Sequence, residues 1–248
     1  MQKTLSYQLG EETFNSFLTA PPMGAEEKRA AVLVLPTWMG CDSFAKEKAQ
    51  ELTAFGYIGC AVDLYGKGKI ASGAEEAGNF MLPLFQNRAV LQNRLLAALE
   101  ALKEEIGVDR ERVAVIGFCF GGLAAIELLR TGASIKGAVS FHGVLGTNLH
   151  GIQSETVPIA PDIAGSLLVL HGYQDPLVTP ADLLNLEQEM SQAQVDWQIQ
   201  IYGSAGHSFM NPDADQKNSG YYFDSKTSKR AWAAMRYFLS ELFSKTSR

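Results

Sequence analysis

The sequence predicts a single α/β domain over residues 1–248, in which helices cover both faces of a mainly parallel, doubly wound sheet. Two observations support this prediction. Short apolar runs, typical of strands buried on both faces, alternate along the chain with longer segments whose apolar residues recur at helical spacing. This alternation is typical of parallel strands joined by crossover helices. We also find no linker long enough to separate two domains.

Six apolar runs are the predicted strands of this sheet. They span residues 30–36, 57–63, 112–117, 135–141, 166–172 and 197–203. Ahead of them, residues 1–20 alternate weakly between polar and apolar positions around "GEE" (10–12), which predicts a pair of strands joined by a turn.

Five segments with helical spacing are the predicted helices. They span residues 43–56, 86–107, 120–132, 180–194 and 226–243. Gly56, Gly107 and Gly132 stand where left-handed helix ends are expected, and Ser43 and Asp182 are candidate N-caps.

Three irregular stretches, residues 63–80, 143–165 and 203–225, each follow a predicted strand. They should gather at the carboxyl edge of the sheet, which is where open α/β sheets bind ligands. None is long enough to form a separate lid domain.

Composition restricts the partners. A net charge of −6 gives no electrostatic attraction to nucleic acid. The N-terminal residues lack the apolar stretch of a signal peptide, and no run approaches the length of about 18 residues that a membrane span needs. We therefore expect a cytoplasmic monomer or homodimer that acts on a small molecule, without nucleic-acid or membrane partners.

Cys119 is the candidate nucleophile. It lies in "GFCFGG" (117–122), between a predicted strand and a predicted helix, which is the context of a nucleophile elbow. Gly117 and Gly121 let strand and helix pass closely, and the N–H groups at the helix start, chiefly that of Phe120, favour a thiolate and an oxyanion. From the turn alone, close packing or a phosphate loop is an alternative, although the GxGxxG spacing of a dinucleotide site is missing.

Two residues downstream complete a candidate triad. Asp175 follows one predicted strand and His207 follows the next, so both emerge at the edge that carries Cys119. A thiol nucleophile needs a base, and the base needs a group that holds its tautomer. Alone, each residue has a simpler explanation as a turn former or a surface group. Together, in this order, they predict a Cys-His-Asp triad.

The remaining histidines and cysteines do not predict a metal site. His142 and His171 close strands, where they can line the pocket or bind backbone groups, and His150 is expected at the surface. No two histidines are spaced i, i+4, and Cys41 and Cys60 form no CxxC pair. We therefore expect neither a metal nor a cofactor.

With these residues the chain resembles the dienelactone hydrolase family of α/β-hydrolases, in which a cysteine replaces the usual serine. The likeness extends from about residue 12 to the end. It rests on "DLYGKGK" (63–69), "GFCFGG", "VSFHG" (139–143), "LVLHGYQDP" (168–176), "AGHSF" (205–209) and the closing "RAWAAMRYFL". The resemblance implies the α/β-hydrolase fold, with Cys119 as nucleophile, His207 as base and Asp175 as the residue that orients it. It also implies that the backbone N–H groups of Trp38 and Phe120 form the oxyanion hole.

Two positions differ from the family members that open dienelactones. Those proteins carry a glutamate near the position of Thr37, where it interacts with the nucleophile. They also carry an arginine that binds the substrate carboxylate, at the position of Asn211. Arg88, Lys67 and Lys69 are candidate replacements for this anchor. Dienelactone itself is therefore in question as a substrate, whereas general ester chemistry is not.

The expected reaction is hydrolysis of a small ester or lactone through an acyl-enzyme. The aromatic residues that flank the predicted catalytic loops could form an apolar pocket wall: Trp38, Tyr65, Phe118, Phe120 and Phe209. A different hypothesis keeps the fold without catalysis, with Cys119 as a redox-sensitive thiol or with the pocket as a binding site only.

Overall fold

The computed structural model describes residues 1–244, and its centre is a sheet of eight strands. In chain order the strands of the protein are β1 (Gln2–Leu9), β2 (Glu12–Thr19), β3 (Arg29–Leu35), β4 (Ile58–Ala61), β5 (Val108–Phe118), β6 (Gly137–Phe141), β7 (Asn148–Leu149), β8 (Ile152–Gln153), β9 (Ser166–Gly172), β10 (Trp197–Tyr202), β11 (Asp215–Gln216) and β12 (Tyr221–Tyr222). The helices are α1 (Ser43–Thr53), α2 (Ala74–Gln86), α3 (Arg88–Lys103), α4 (Phe120–Arg130), α5 (Pro180–Gln192) and α6 (Ser225–Phe243), with a short 3₁₀ helix at Lys217–Ser219.

The central sheet has the order β1-β2-β4-β3-β5-β6-β9-β10. The six predicted core strands are present and all pair in parallel. The predicted N-terminal pair is also confirmed, because β1 and β2 form an antiparallel hairpin that joins the sheet through β4. The sheet is therefore mainly parallel, as the alternation of strands and helices predicts.

Two apolar cores lie on opposite faces of the sheet. The first core packs α2, α3, α4 and α5 against one face, and the second packs α1 and α6 against the other. Helices on both faces confirm the doubly wound arrangement. Within residues 1–244, no helix is long and apolar enough to cross a membrane.

The segment before α3 differs from the prediction. Residues 63–80 were expected to be irregular and residues 86–107 to form one helix, but α2 occupies Ala74–Gln86 and α3 begins separately at Arg88. Asn87 separates them, because its backbone is extended and its side chain accepts a hydrogen bond from the N–H of Val90. The sequence does not predict α2 because Pro83 lies inside the helix and Gly73 is its N-cap, and both residues are unfavourable signals for a helix.

Caps explain the other boundaries. Gly56, Gly107 and Gly132 have positive φ angles of 83°, 90° and 70°, as expected for left-handed turns at these places. The N-cap of α1 is Asp42 rather than Ser43. Asp182 is not the N-cap of α5 but the third residue of a capping box whose N-cap is Thr179.

A buried ion pair connects α3 to α4. Nη1 of Arg88 lies 3.3 Å from Oε1 of Glu127, and only 3% and 7% of their side chains are exposed. Nε of Arg88 donates to the carbonyl of Phe85 at 2.9 Å and to Oγ of Ser154 at 2.6 Å. Burial lowers the pKa of Arg88 to about 10, although the charge of Glu127 opposes this. The arginine is thereby bound within the fold.

We expect Glu127→Ala to lower the free energy of unfolding by about 3–5 kcal/mol, because it leaves the buried Arg88 without its counterion. Urea unfolding measures this loss. The double variant Arg88→Met with Glu127→Leu should recover most of it. The exposed pair of Arg110 and Glu104 is a matched control, since Glu104→Ala should cost less than about 1 kcal/mol. A loss below about 1 kcal/mol for Glu127→Ala would contradict the assignment.

Candidate active site

The turn at Cys119 has the geometry of a nucleophile elbow. Cys119 joins β5 to α4 with φ 56° and ψ −117°, a conformation that strains any residue other than glycine. A Cβ atom on Gly117 would lie 1.9 Å from the carbonyl oxygen of Gly121. One on Gly121 would lie 2.2 Å from the carbonyl oxygen of Leu35. Glycine at both positions is therefore required for strand and helix to approach, and the half-buried thiol stands at the helix start.

Asp175 and His207 form a buried hydrogen-bonded pair. Nδ1 of His207 lies 2.8 Å from Oδ2 of Asp175, and the two side chains are 1% and 0% exposed. Oδ1 of Asp175 accepts a hydrogen bond from the N–H of Leu177 at 2.9 Å, which fixes the carboxylate. The backbone of His207 is held on both sides, by the carbonyl of Gly220 and the N–H of Tyr222. The imidazole orientation is therefore determined by the fold.

The electrostatics link His207 to Cys119. Burial opposes the imidazolium, but the negative charge of the Cys119 thiolate, the hydrogen bond to Asp175, the interaction with the sulfur and the Asp175 charge together raise the pKa of His207 to about 10. Within residues 1–244, Nε2 of His207 has no hydrogen-bond partner of normal geometry. Cys119 therefore lies close enough to the His207 ring to act on its pKa.

The loop after β3 lies against the elbow. It carries Trp38, whose carbonyl accepts a hydrogen bond from Oη of Tyr65 at 2.9 Å. Across residues 1–244, neither the N–H of Trp38 nor that of Phe120 donates a hydrogen bond. Free N–H groups at the start of α4 and in the adjoining loop are what an oxyanion hole requires.

Tyr65 and Phe209 are two of the aromatic residues that the sequence places beside the candidate site. Burial raises the pKa of Tyr65, and the nearby charge of Cys119 raises it further. Phe209 is fully buried, with its ring centroid 5.0 Å from that of His142. The ring of His142 in turn lies 5.1 Å from that of His207. Burial lowers the pKa of the nearby His171, on which the charges of Asp175 and His207 act in opposite directions.

Three other candidate substrate residues form hydrogen bonds or ion pairs within the fold. Oγ1 of Thr37 accepts a hydrogen bond from the N–H of Met39 at 3.3 Å. Oδ1 of Asn211 accepts one from the N–H of Asp213 at 3.1 Å, which stabilises the turn after Phe209. Arg88 is occupied by Glu127, so the structure does not favour it as a carboxylate anchor.

The two lysines after β4 are exposed. Lys67 and Lys69 both lie at the surface, and the ammonium group of Lys69 stands 5.7 Å from the ring centre of Phe80.

The ring of Tyr221 lies 5.6 Å from that of His207, although the sequence does not indicate this contact. Only the run of three aromatic residues, Tyr221, Tyr222 and Phe223, in an otherwise polar stretch could have suggested a packed segment there.

Across residues 1–244, no group of three or more histidine, cysteine, aspartate or glutamate side chains could hold a metal ion. Asp175 and His207 are therefore not part of a metal-ligand cluster in the described part of the chain.

We expect Cys119→Ala to lower the pKa of His207, because the thiolate is the strongest cause that raises it and burial then counts for more. An NMR titration of the His207 imidazole measures the change. Cys60→Ala, which removes a buried thiol from β4, is the matched control and should leave this titration unaltered. An unchanged pKa near 10 in Cys119→Ala would show that the sulfur does not act on the ring.

The family model of the dienelactone hydrolase family matches residues 14–243. The solved structure called m3DLH is 36% identical, with a TM-score of 0.89, and the match covers 98% of this chain and 99% of that one. A dienelactone hydrolase-like promiscuous phosphotriesterase, P91, from metagenomic libraries is 32% identical, with a TM-score of 0.85 and 98% of each chain covered.

A curated relative from Bradyrhizobium sp, named as a probable 2-oxo-3-(5-oxofuran-2-ylidene)propanoate lactonase, is 27% identical over 72% of this chain and 73% of its own length. These matches agree with the sheet order in confirming the predicted fold class. They also confirm the resemblance found in the sequence motifs. The chain belongs to the dienelactone hydrolase family and is a hydrolase of its ester and lactone class.

Proposed function

We propose that the protein hydrolyses small carboxylic esters or lactones through an acyl-enzyme on Cys119, with His207 as base and Asp175 as the residue that orients it. One observation carries the proposal. The buried pair of His207 and Asp175 stands beside an elbow whose strained turn presents the thiol at a helix start. This combination of nucleophile, base and orienting acid is the triad arrangement.

The chemistry begins with attack of the Cys119 thiolate on the carbonyl carbon. The N–H groups of Trp38 and Phe120 bind the developing oxyanion, while the protonated His207 gives its proton to the leaving alkoxide. Water then attacks the thioester as His207 takes its proton, and the sulfur leaves. Asp175 stabilises the imidazolium that forms in each half of the cycle.

Leaving-group ability favours esters over amides. A thiolate leaves a tetrahedral intermediate more readily than an unprotonated amine does, so amide cleavage would return the intermediate to substrate. Lactones, activated esters and thioesters have better leaving groups. The proposed substrates are therefore small esters and lactones, and the reaction requires no cofactor.

The substrate is further proposed to lack a free carboxylate. Asn211 has no positive charge, and Arg88 is engaged by Glu127, so neither forms a charged fork at the site. A neutral phosphotriester is a second candidate, since the relative P91, 32% identical over nearly the whole chain, is named as a promiscuous phosphotriesterase. Turnover of diethyl p-nitrophenyl phosphate tests it.

We expect Cys119→Ala and His207→Ala each to abolish the hydrolysis of p-nitrophenyl acetate, a loss of at least about a thousandfold in kcat/KM. Single-turnover mass spectrometry should detect an acetyl group on Cys119 of the unaltered protein. Cys41→Ala is the control, because that buried thiol donates to the carbonyl of Ala61 and should not affect turnover. If Cys119 is found only oxidised and never acylated, the redox-sensitive thiol is supported instead.

We expect Asn211→Arg to raise kcat/KM for esters that carry a free carboxylate by about tenfold relative to uncharged esters, because a charged hydrogen bond contributes about 1.5–3 kcal/mol. Rates with a matched pair of p-nitrophenyl esters, one with a terminal carboxylate and one with a methyl group, measure this ratio. Asn211→Lys tests whether charge suffices without the fork. An unchanged ratio in both variants would show that position 211 does not face the substrate.

A further inference from the structure

His142 is a buried histidine that the proposed chemistry does not use. Its side chain closes β6 and is 1% exposed, and within residues 1–244 neither ring nitrogen has a hydrogen-bond partner. The residue before it, Phe141, accepts a hydrogen bond through its carbonyl from the N–H of Cys119 at 3.1 Å. The unpartnered imidazole thus stands one residue from the contact that holds the nucleophile.

The backbone at His142 turns its ring toward the catalytic base. Along β6 the side chain of Ala138 faces the first core, while Val139 and Phe141 face the second. Continued alternation would send His142 toward the first core. Its φ of 37° instead places the ring beside Phe118 and Phe209 of the second core and edge-to-face with His207. Such strain at a non-glycine residue is typical of functional sites.

The imidazole of His142 is neutral. Burial lowers the pKa of His142 well below its usual range, and the charge of His207 lowers it further. A neutral imidazole has one donor and one acceptor, and leaving both unpaired in a buried site is unfavourable. Buried polar atoms are normally satisfied. A small polar molecule at the site would satisfy both the His142 ring and its neighbour.

Within residues 1–244, Nε2 of His207 also has no hydrogen-bond partner of normal geometry, and acylation of Cys119 would remove the sulfur charge that acts on it in the resting protein. The two ring centroids are 5.1 Å apart at an interplanar angle of 67°. A water molecule with hydrogen bonds of about 2.8 Å can bridge nitrogens on rings at this separation. Phe118 and Phe209, which border the His142 ring, offer such a molecule no competing polar partner.

We propose that His142 is a positioning residue that holds the hydrolytic water against His207 during deacylation. This inference rests on the proposed function. In the step, one O–H proton of the water passes to Nε2 of His207 while the oxygen forms a bond to the acyl carbon. The other O–H donates to the unprotonated nitrogen of His142. The C–S bond then breaks, the electron pair returns to Cys119 as thiolate, and the carboxylic acid product leaves.

The test separates acylation from deacylation in His142→Phe, which keeps an aromatic ring without nitrogens, and in His142→Asn, which keeps polar atoms. Stopped-flow measurements with p-nitrophenyl acetate give the burst and the steady state. In His142→Phe we expect an acylation rate within about threefold of the unaltered protein, a burst of one acetyl group per site, and a kcat about tenfold lower. His142→Asn should keep a higher kcat than His142→Phe, because its side chain retains polar atoms. Hydroxylamine, which needs no positioned water, should release the accumulated acyl group.

Each other outcome overturns the inference. An unchanged kcat without a larger burst would make His142 a packing residue only. A slower acylation or a raised KM with normal deacylation would place its nitrogens on the substrate. If the unaltered protein forms no acyl group on Cys119, the proposed function fails first, which distinguishes the two failures. Thermal unfolding of each variant checks the fold, and His142→Leu carries the same expectations if the phenylalanine variant does not fold.

Discussion

The contact between the end of β5 and the start of α4 is the constraint on which the rest of the site depends. Gly117 and Gly121 approach so closely that a Cβ on the first would overlap the carbonyl of the second. This approach accompanies the strained turn of Cys119 between β5 and α4. The same contact brings the start of α4 against the loop after β3, because Gly121 also lies against the carbonyl of Leu35. One backbone junction thus positions the proposed nucleophile and the proposed oxyanion donors.

Part of the backbone strain lies around this junction. Within residues 1–244, three of the six non-glycine residues with positive φ angles, Cys119, His142 and Ser208, lie at the carboxyl edge of a parallel strand or next to His207. Conformations of this kind cost about 1–3 kcal/mol each and persist where the surroundings determine them. Here the surroundings are two apolar cores and a parallel sheet, whose rigid packing holds the loops. The packing of the fold therefore offsets the free-energy cost of the strained backbone at the site.

The sequence predicts well what is encoded locally and less well what depends on distant contacts. The core strands, the elbow and the order of Asp175 and His207 follow from short motifs and apolar runs, and the structure brings these residues together. Helix α2 was missed because Pro83 and nearby glycines obscure its helical pattern. The pairing of Arg88 with Glu127 could not be foreseen, since 39 residues separate them along the chain. For the same reason nothing in the sequence links Tyr221 to His207, although a backbone bridge joins the two residues in the structure.

The charges around the triad bear on the substrate. In the proposed mechanism the thiolate of Cys119 and the carboxylate of Asp175 face a single imidazolium, so the proposed triad carries a net negative charge. A substrate carboxylate entering this site would need a cation of its own. Asn211 and Thr37 are uncharged, Arg88 is neutralised within the fold, and Lys67 and Lys69 lie in water, where a charge contact is weak. Electrostatics therefore supports the proposal that the substrates are uncharged esters and lactones rather than carboxylate-bearing ones.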